Sequence, residues 1–313
     1  MSPADGEPER SAAVRVWSRL PPGTRAELED HLSPTDLQTL LLDLARTRAR
    51  RVTPARLRQR WQQDRFVRPA AVDPRRLVAV EAALWRSLPA TFEGLALSPV
   101  TPLGSCSALG PVDQHRVLST TRSSEVVSDP TNVLALEAAV RRRDGAPAAH
   151  LAACHRVLRA QRFAAADALP HFSLFTLVSS ARDTGAARTE ADLLLTHLAF
   201  WSSALAELIG SDAWRLDLTV ITDPAMEDRV HDTVAPGLPG TAVRDAPERT
   251  QGIGYYRSAA FKIMSVDGST ASEIGDGGFT DWTAALMADA KERCLISCVS
   301  TEALTGLVGA AGG

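Results

Sequence analysis

Lysine is almost missing from this 313-residue chain: Lys262 and Lys291 are the only two among 34 basic residues. The positive charge is carried by arginine, which together with the abundance of alanine reads as GC-rich coding. Neither sign of charge is in excess. A formal net charge of −3 gives no general case for nucleic acid or a membrane surface as partner. Cysteine is scarce: Cys106, Cys154, Cys294 and Cys298 form no C-x-x-C pair, and the last two sit in the apolar run "CLISCV". They read as buried free thiols, not as a disulfide framework or metal site. The histidines, His155 and His171 among them, show no metal-ligand spacing, so no metal centre is expected. No segment approaches 18 apolar residues, and the opening "MSPADGEPERSAAVRVW" has no apolar h-region. A membrane is not expected, and the cytoplasm is the expected location. Tyrosine occurs only as the adjacent pair Tyr255 and Tyr256.

What is present falls into three parts: a disordered tail over 1–12, a helical domain over 13–72 and a larger core over 73–313. "SPTDLQTLLLDLARTRARR" opens with Ser33 as N-cap and Pro34 at the first helical position, and "TPARLRQRWQQ" repeats that opening at Thr53. Arg46, Arg48, Arg50 and Arg51 can serve as solvated helix faces and favourable C-terminal charge, or as a grip on RNA or an acidic protein partner. In the core, "PRRLVAVEAALWRSL" is a helix, "FEGLALSPVTPLG" a strand ending at Pro99, and "HRVLSTTRSSEVVS" a pair of strands. "DPTNVLALEAAVRRR" is a helix with Asp129 as N-cap, Pro130 at N1 and arginines at its end. "LAACHRVLRAQRF", "HFSLFTLVSSA", "WRLDLTVIT", "YYRSAAFKIMSV" and "CLISCVS" read as strands; "EADLLLTHLAFWSSALAELIG", "GFTDWTAALMADA" and "TEALTGLVG" read as helices. Strands outnumber crossover helices. The fold class is therefore α+β, an antiparallel sheet flanked by helices, with a small N-terminal helical domain.

That order of elements, with these words in it, resembles the class II aminoacyl-tRNA synthetase core, most of all histidyl-tRNA synthetase and its relatives, over residues 73–308. "LVAVEAALWRSLPATFEGLALSPVTPLG" is similar to motif 1, which in the family forms the dimer interface; the resemblance implies a homodimer through residues 75–100. "CHRVLRAQRF" with "HFSLF" resembles motif 2, two antiparallel strands with a loop over the nucleotide. "GIGYYRSAAFKI" resembles the histidine-specific G-L-D-Y-Y segment, and "GDGGFTDWTAAL" with "CLISCVSTEAL" resembles the G-G-R-Y-D-G-L segment and motif 3.

The departures bear on chemistry. In the family, three arginines and magnesium stabilise charge while a carboxylate attacks the α-phosphate of ATP. Here the resemblance keeps the motif 2 arginine as Arg159, with Arg162 nearby, but its glutamate companion is Gln161. Gln251 replaces the arginine before the tyrosine segment, Gly254 its aspartate, and Ala303 the motif 3 arginine. Each such donor is worth roughly 10²–10³ in rate, so losing two slows adenylation by on the order of 10⁴. Gln251 still donates a hydrogen bond but has neither the charge nor the fork of arginine. The strand "HFSLFTLVSS" lacks the family's imidazole-binding glutamate. An anticodon-binding domain after motif 3 is not expected, and neither is tRNA as a partner.

Arg159 with Gln251 is thus the candidate catalytic pair, and Arg159, Gln161 and Arg162 the candidate nucleotide contacts, ATP and Mg2+ being the cofactors the resemblance implies. Candidate ligand contacts are Arg122, Glu125, Asp129 and Asn132 at a helix start, one of Tyr255 and Tyr256 (neighbours in a strand point to opposite faces), and Asp281. Cap and cross-strand pairing account equally for Asp129 and for Arg122 with Glu125, and turn chemistry for Asp276 with Gly277 and Gly278. Two functions stand open. One is a free-standing histidyl-tRNA-synthetase-like paralogue, a ligase that activates a small amino-acid-like carboxylate; the polar 121–132 segment favours it. The other is a non-catalytic regulatory or binding subunit, similar in role to the synthetase-like subunit of ATP phosphoribosyltransferase; the missing arginines favour that.

Overall fold

The computed structural model describes residues 7–110, 112–161, 170–221, 223–252 and 254–311. The chain divides into two compact units: residues 1–62 with 120–124, and residues 63–119 with 125–313. The first holds α1 (Glu7–Trp17), α2 (Thr24–Ala26, continuing as a π-turn over Glu27–His31), α3 (Pro34–Ala49) and α4 (Pro54–Gln63, its last residue in the second unit). Ser33 caps α3 as its sequence predicts, its hydroxyl accepting from the Asp36 amide at 3.1 Å. No described side chain of α3 or α4 is buried.

In the second unit the chain runs α5 (Pro74–Ser87), β1 (Glu93–Gly94), β2 (Val100–Pro102), α6 (Ser105–Leu109), β3 (Ser124–Val126, its first residue in the first unit), α7 (Pro130–Arg143), β4 (Ala148–Leu158) and β5 (His171–Arg182). It continues through α8 (Arg188–Ile209), β6 (Trp214–Val220), α9 (Pro224–Arg229), β7 (Val243–Asp245), β8 (Arg257–Asp267), β9 (Thr270–Thr280), α10 (Trp282–Met287), β10 (Glu292–Ser300) and α11 (Thr301–Ala311). Eight strands form one sheet in the order β1-β4-β5-β10-β9-β8-β6-β7. Only the outer pairs, β1 with β4 and β6 with β7, are parallel. The six-strand interior is antiparallel, as the α+β reading expects.

Alternation along these strands feeds two cores. Phe175, Leu177, Phe261, Leu295 and Val299 point to one face and pack with Leu194, Leu198, Trp201 and Leu205 of α8. Val178, Ala260, Cys294 and Ile296 point to the other and pack with Leu134, Ala135 and Ala138 of α7 and with Trp282. Among the described residues α8 is the one helix long and apolar enough to cross a bilayer, and its apolar residues lie inside this core.

Several elements differ from what the sequence predicts; of the strand pair expected over "HRVLSTTRSSEVVS" only β3 is a strand, bridged at Glu125 to Ser119. The "FEGLALSPVTPLG" strand is two short pieces, β1 and β2, separated by extended chain. The tyrosines precede β8, which begins at Arg257. Gly277 and Gly278 lie within β9, not in a turn entering a helix. A Cβ on Gly278 would sit 2.5 Å from the Tyr256 ring, and one on Gly277 2.5 Å from the Phe261 ring. These glycines admit aromatic rings against the sheet, which is why so unstrandlike a sequence is a strand.

Candidate ligand pocket

The pocket lies on the α7 face of the sheet, where β5, β9 and β10 pass beside the start of α7. It encloses about 330 Å³ and is lined by Asp129, Thr131, Arg159, Leu174, both tyrosines, Glu273 to Asp276, Ile296 to Cys298, and Ser300. Both rings reach it because they lie in the turn before β8, where strand alternation does not apply; they meet edge to face at 4.7 Å. The expectation that only one could line the pocket fails for that reason. Burial raises both phenols well above the ordinary tyrosine range, so they stay protonated donors.

Asp129 has two roles. Its Oδ1 caps α7, accepting from the Thr131 amide at 3.0 Å and the Thr131 hydroxyl at 2.7 Å. Its Oδ2 stands 3.7 Å from Nη2 of Arg159. Arg159 is further held by the Ser128 carbonyl, which accepts from Nε at 2.9 Å, and its guanidinium lies 5.2 Å over the Phe172 ring.

Behind the opposite wall, paired with Asp276, stands an arginine that the sequence motifs do not mark. Arg249 keeps 4% of its side chain exposed, and its Nη2 donates to Oδ1 of Asp276 at 2.8 Å. The Tyr256 hydroxyl donates to Oδ2 of Asp276 at 2.9 Å, and the Arg249 guanidinium lies 5.1 Å over that same ring. Nε of Arg249 donates to the Gln251 carbonyl at 2.8 Å, while Nη1 is buried with no hydrogen-bond partner among the described residues. Burial raises the Asp276 carboxyl above its usual range against the opposing pull of Arg249 and Tyr256. Glu273, beside it, takes Lys262 at 2.7 Å. A signal did exist: Arg249 stands two residues before Gln251, the candidate that the sequence singles out.

The other candidates lie elsewhere. Gln251 is exposed, and its amide oxygen accepts from Lys262 at 2.9 Å. Gln161 is fixed through its main chain, its carbonyl accepting from Arg65 at 3.0 Å; Arg162 lies outside the described residues. Glu125 is buried away from the pocket, its carboxylate accepting from the amides of Gly104 at 2.8 Å and Cys106 at 2.9 Å and from the Gln114 side chain at 2.8 Å. Arg122 is exposed and falls in the first compact unit. Asn132 is buried in α7 and does not line the cavity. Asp281 pairs at the surface with Arg257 at 3.1 Å.

The described lining therefore presents three carboxylates and one guanidinium. A triphosphate calls for arginine forks on the phosphates or a helix N-terminus open to them, and its magnesium for one or two carboxylates. The start of α7 is filled by the Asp129 carboxylate, Arg249 is neutralised by Asp276, and Ala303 packs on the opposite core. No cluster of three metal-ligating side chains occurs among the described residues. For a triphosphate the described lining thus offers one arginine fork, Arg159, which stands beside Asp129. Opposed acidic and basic groups around aromatic and aliphatic walls fit a small zwitterion.

This sheet and its strand order match the class II aminoacyl-tRNA synthetase-like fold. Solved structures agree. An ATP phosphoribosyltransferase regulatory subunit/histidyl-tRNA synthetase from Bacillus halodurans superposes with TM-score 0.60 at 10% identity, over 78% of this chain and 82% of that one. A histidine–tRNA ligase subunit from Alicyclobacillus acidocaldarius gives 0.58 at 13%, over 79% and 98%. The histidyl-tRNA synthetase of a Nostoc species gives 0.59 at 11%, over 80% and 75%. At such identities the likeness is one of fold. No family profile matches the sequence, and no curated protein matches it.

Proposed function

We propose that the chain is a free-standing histidyl-tRNA-synthetase-like paralogue whose pocket holds a small amino-acid-like ligand, and that it acts as a binding or regulatory subunit rather than as an adenylating enzyme. The observation that carries this reading is the charge of the lining: Asp129, Glu273 and Asp276 against Arg159. In this reading Asp129 and Glu273 receive the ligand's ammonium group and Arg159 its carboxylate, while the two tyrosine rings and Leu174 take the side chain. The regulatory subunit named among the similar structures gives the role a parallel. A second reading, ATP-dependent activation of a carboxylate in the cytoplasm, draws on Arg159 alone.

Thermal unfolding of the purified protein with each standard amino acid tests the proposal, since a ligand of the folded state raises the midpoint. At least one amino acid is expected to raise it, and Asp129→Asn to reduce the shift. No shift with any of them counts against it.

A homodimer through residues 75–100 belongs to the same proposal. Val78 and Val100 are exposed there, and an open cleft of about 590 Å³ runs between α5, β1 and β4. Val100→Glu is expected to convert a dimer to monomer in size-exclusion chromatography; unchanged dimeric elution refutes this interface.

A further inference from the structure

Between residues 44 and 63 the chain carries seven arginines, Arg46, Arg48, Arg50, Arg51, Arg56, Arg58 and Arg60, and no acidic residue. All seven are exposed, and none forms an ion pair with a described residue. The end of α3 accounts for the first group by itself, because cations there complement the helix dipole. It does not account for Arg56, Arg58 and Arg60, which stand within α4 with no acid on the helix to pair them. Their placement is ordered. At 100° per residue Arg56 and Arg60 lie on one line, Leu57 and Trp61 on the next, and Arg58 beyond them. An apolar stripe is thus bordered by arginine on both sides, and it is bare: Leu57 is 61% exposed and Trp61 55%.

We infer that the surface of α4, continued by the arginines that end α3, is a binding site for single-stranded nucleic acid. An unpaired arginine presents a fork that matches two phosphate oxygens, and several along one face follow a backbone of regularly spaced charge. Trp61 offers a flat apolar face on which a base stacks, whichever base it is. A membrane surface fits less well, since Leu57 and Trp61 are the only large apolar side chains on α4 and give too little area to enter a lipid interface. An acidic protein would satisfy the arginines but gives the bare indole no specific partner. Ten residues make a marginal helix without burial, so α4 also gains order from a bound strand.

Fluorescence anisotropy of the full chain with a labelled single-stranded RNA, and in parallel a DNA of the same sequence, tests this. Binding is expected with log K falling against log salt by about 0.7 for each phosphate contacted. Arg56→Gln and Arg60→Gln should each flatten that slope by about 0.7. Trp61→Ala should weaken binding about tenfold with the slope unchanged, and Trp61→Phe should restore most of it. Tighter binding of RNA than DNA, or the reverse, identifies which sugar the site prefers and supports the inference either way. No binding of either strand overturns it. So does indifference to Trp61→Ala, or full competition by polyglutamate, which would assign the surface to an acidic protein instead.

Discussion

On one side of β10 the Ser297 hydroxyl is closed in by its neighbours. It accepts from Trp201 Nε1 at 2.9 Å and shares a hydrogen bond with His197 Nδ1 at 2.9 Å; His197 Nε2 in turn meets the Ser179 hydroxyl at 2.9 Å, and Ser179 meets His150 at 2.8 Å. On the other side, Ile296, Cys298 and Ser300 of the same strand border the cavity of Asp129, Arg159 and Asp276. One face spends its polar atoms on each other and becomes structure. The other pairs charge with charge, Asp129 with Arg159 and Asp276 with Arg249, around an open cavity, and that cavity marks it as the site. Buried polar groups are tolerated when satisfied, and a cavity with charged groups on its walls is where a ligand belongs.

Breaking the wall of the pocket gives the largest effect. Arg249→Met leaves Asp276 without its buried counter-charge and should cost about 3–5 kcal/mol in urea unfolding. Asp276→Asn in the same chain should return most of that loss; if it does not, Arg249 stabilises the fold through something other than this pair. The closed face should respond to acid. Burial holds His197 neutral, its pKa pushed down from 6.5 to about 3. The unfolded chain takes up that proton below about pH 6.5 and the folded chain does not, so stability is full above that pH and falls as the solution is acidified. The loss from this group reaches about 3 kcal/mol near pH 4. Urea midpoints across that range measure it, and His197→Asn should flatten the curve there; an unaltered curve removes His197 as its cause. A smaller effect should come from Gly278→Ala. The added methyl meets the Tyr256 ring and should cost about 1–3 kcal/mol, with altered near-ultraviolet circular dichroism from the tyrosines. A variant as stable as the parent would mean the ring moves freely and does not define the wall.

Much of the fold is legible because its signals are local. Asp129, Pro130 and the closing arginines mark α7, alternation marks β4, β5 and β10, and a long apolar stripe marks α8. β9 is not legible. "TASEIGDGGFT" has strand-poor residues whose reason is an aromatic ring brought from a different segment. The pocket divides in the same way. Asp129, Arg159 and the tyrosines come from words that stand out in the sequence. Arg249 and Glu273 do not, since their significance lies in Asp276 and Lys262, up to 27 residues away. Gln251 shows the converse: a residue that stands out in the sequence, yet is exposed and pairs with Lys262.

The most direct test is a calorimetric titration of the purified protein with Mg-ATP and, separately, with the amino acid that most stabilises it, each repeated on Arg159→Ala. The acid-rich lining predicts that the amino acid binds, that Arg159→Ala weakens it, and that Mg-ATP releases no heat of binding. Tight Mg-ATP binding lost in Arg159→Ala would contradict the account and return the pocket to nucleotide chemistry.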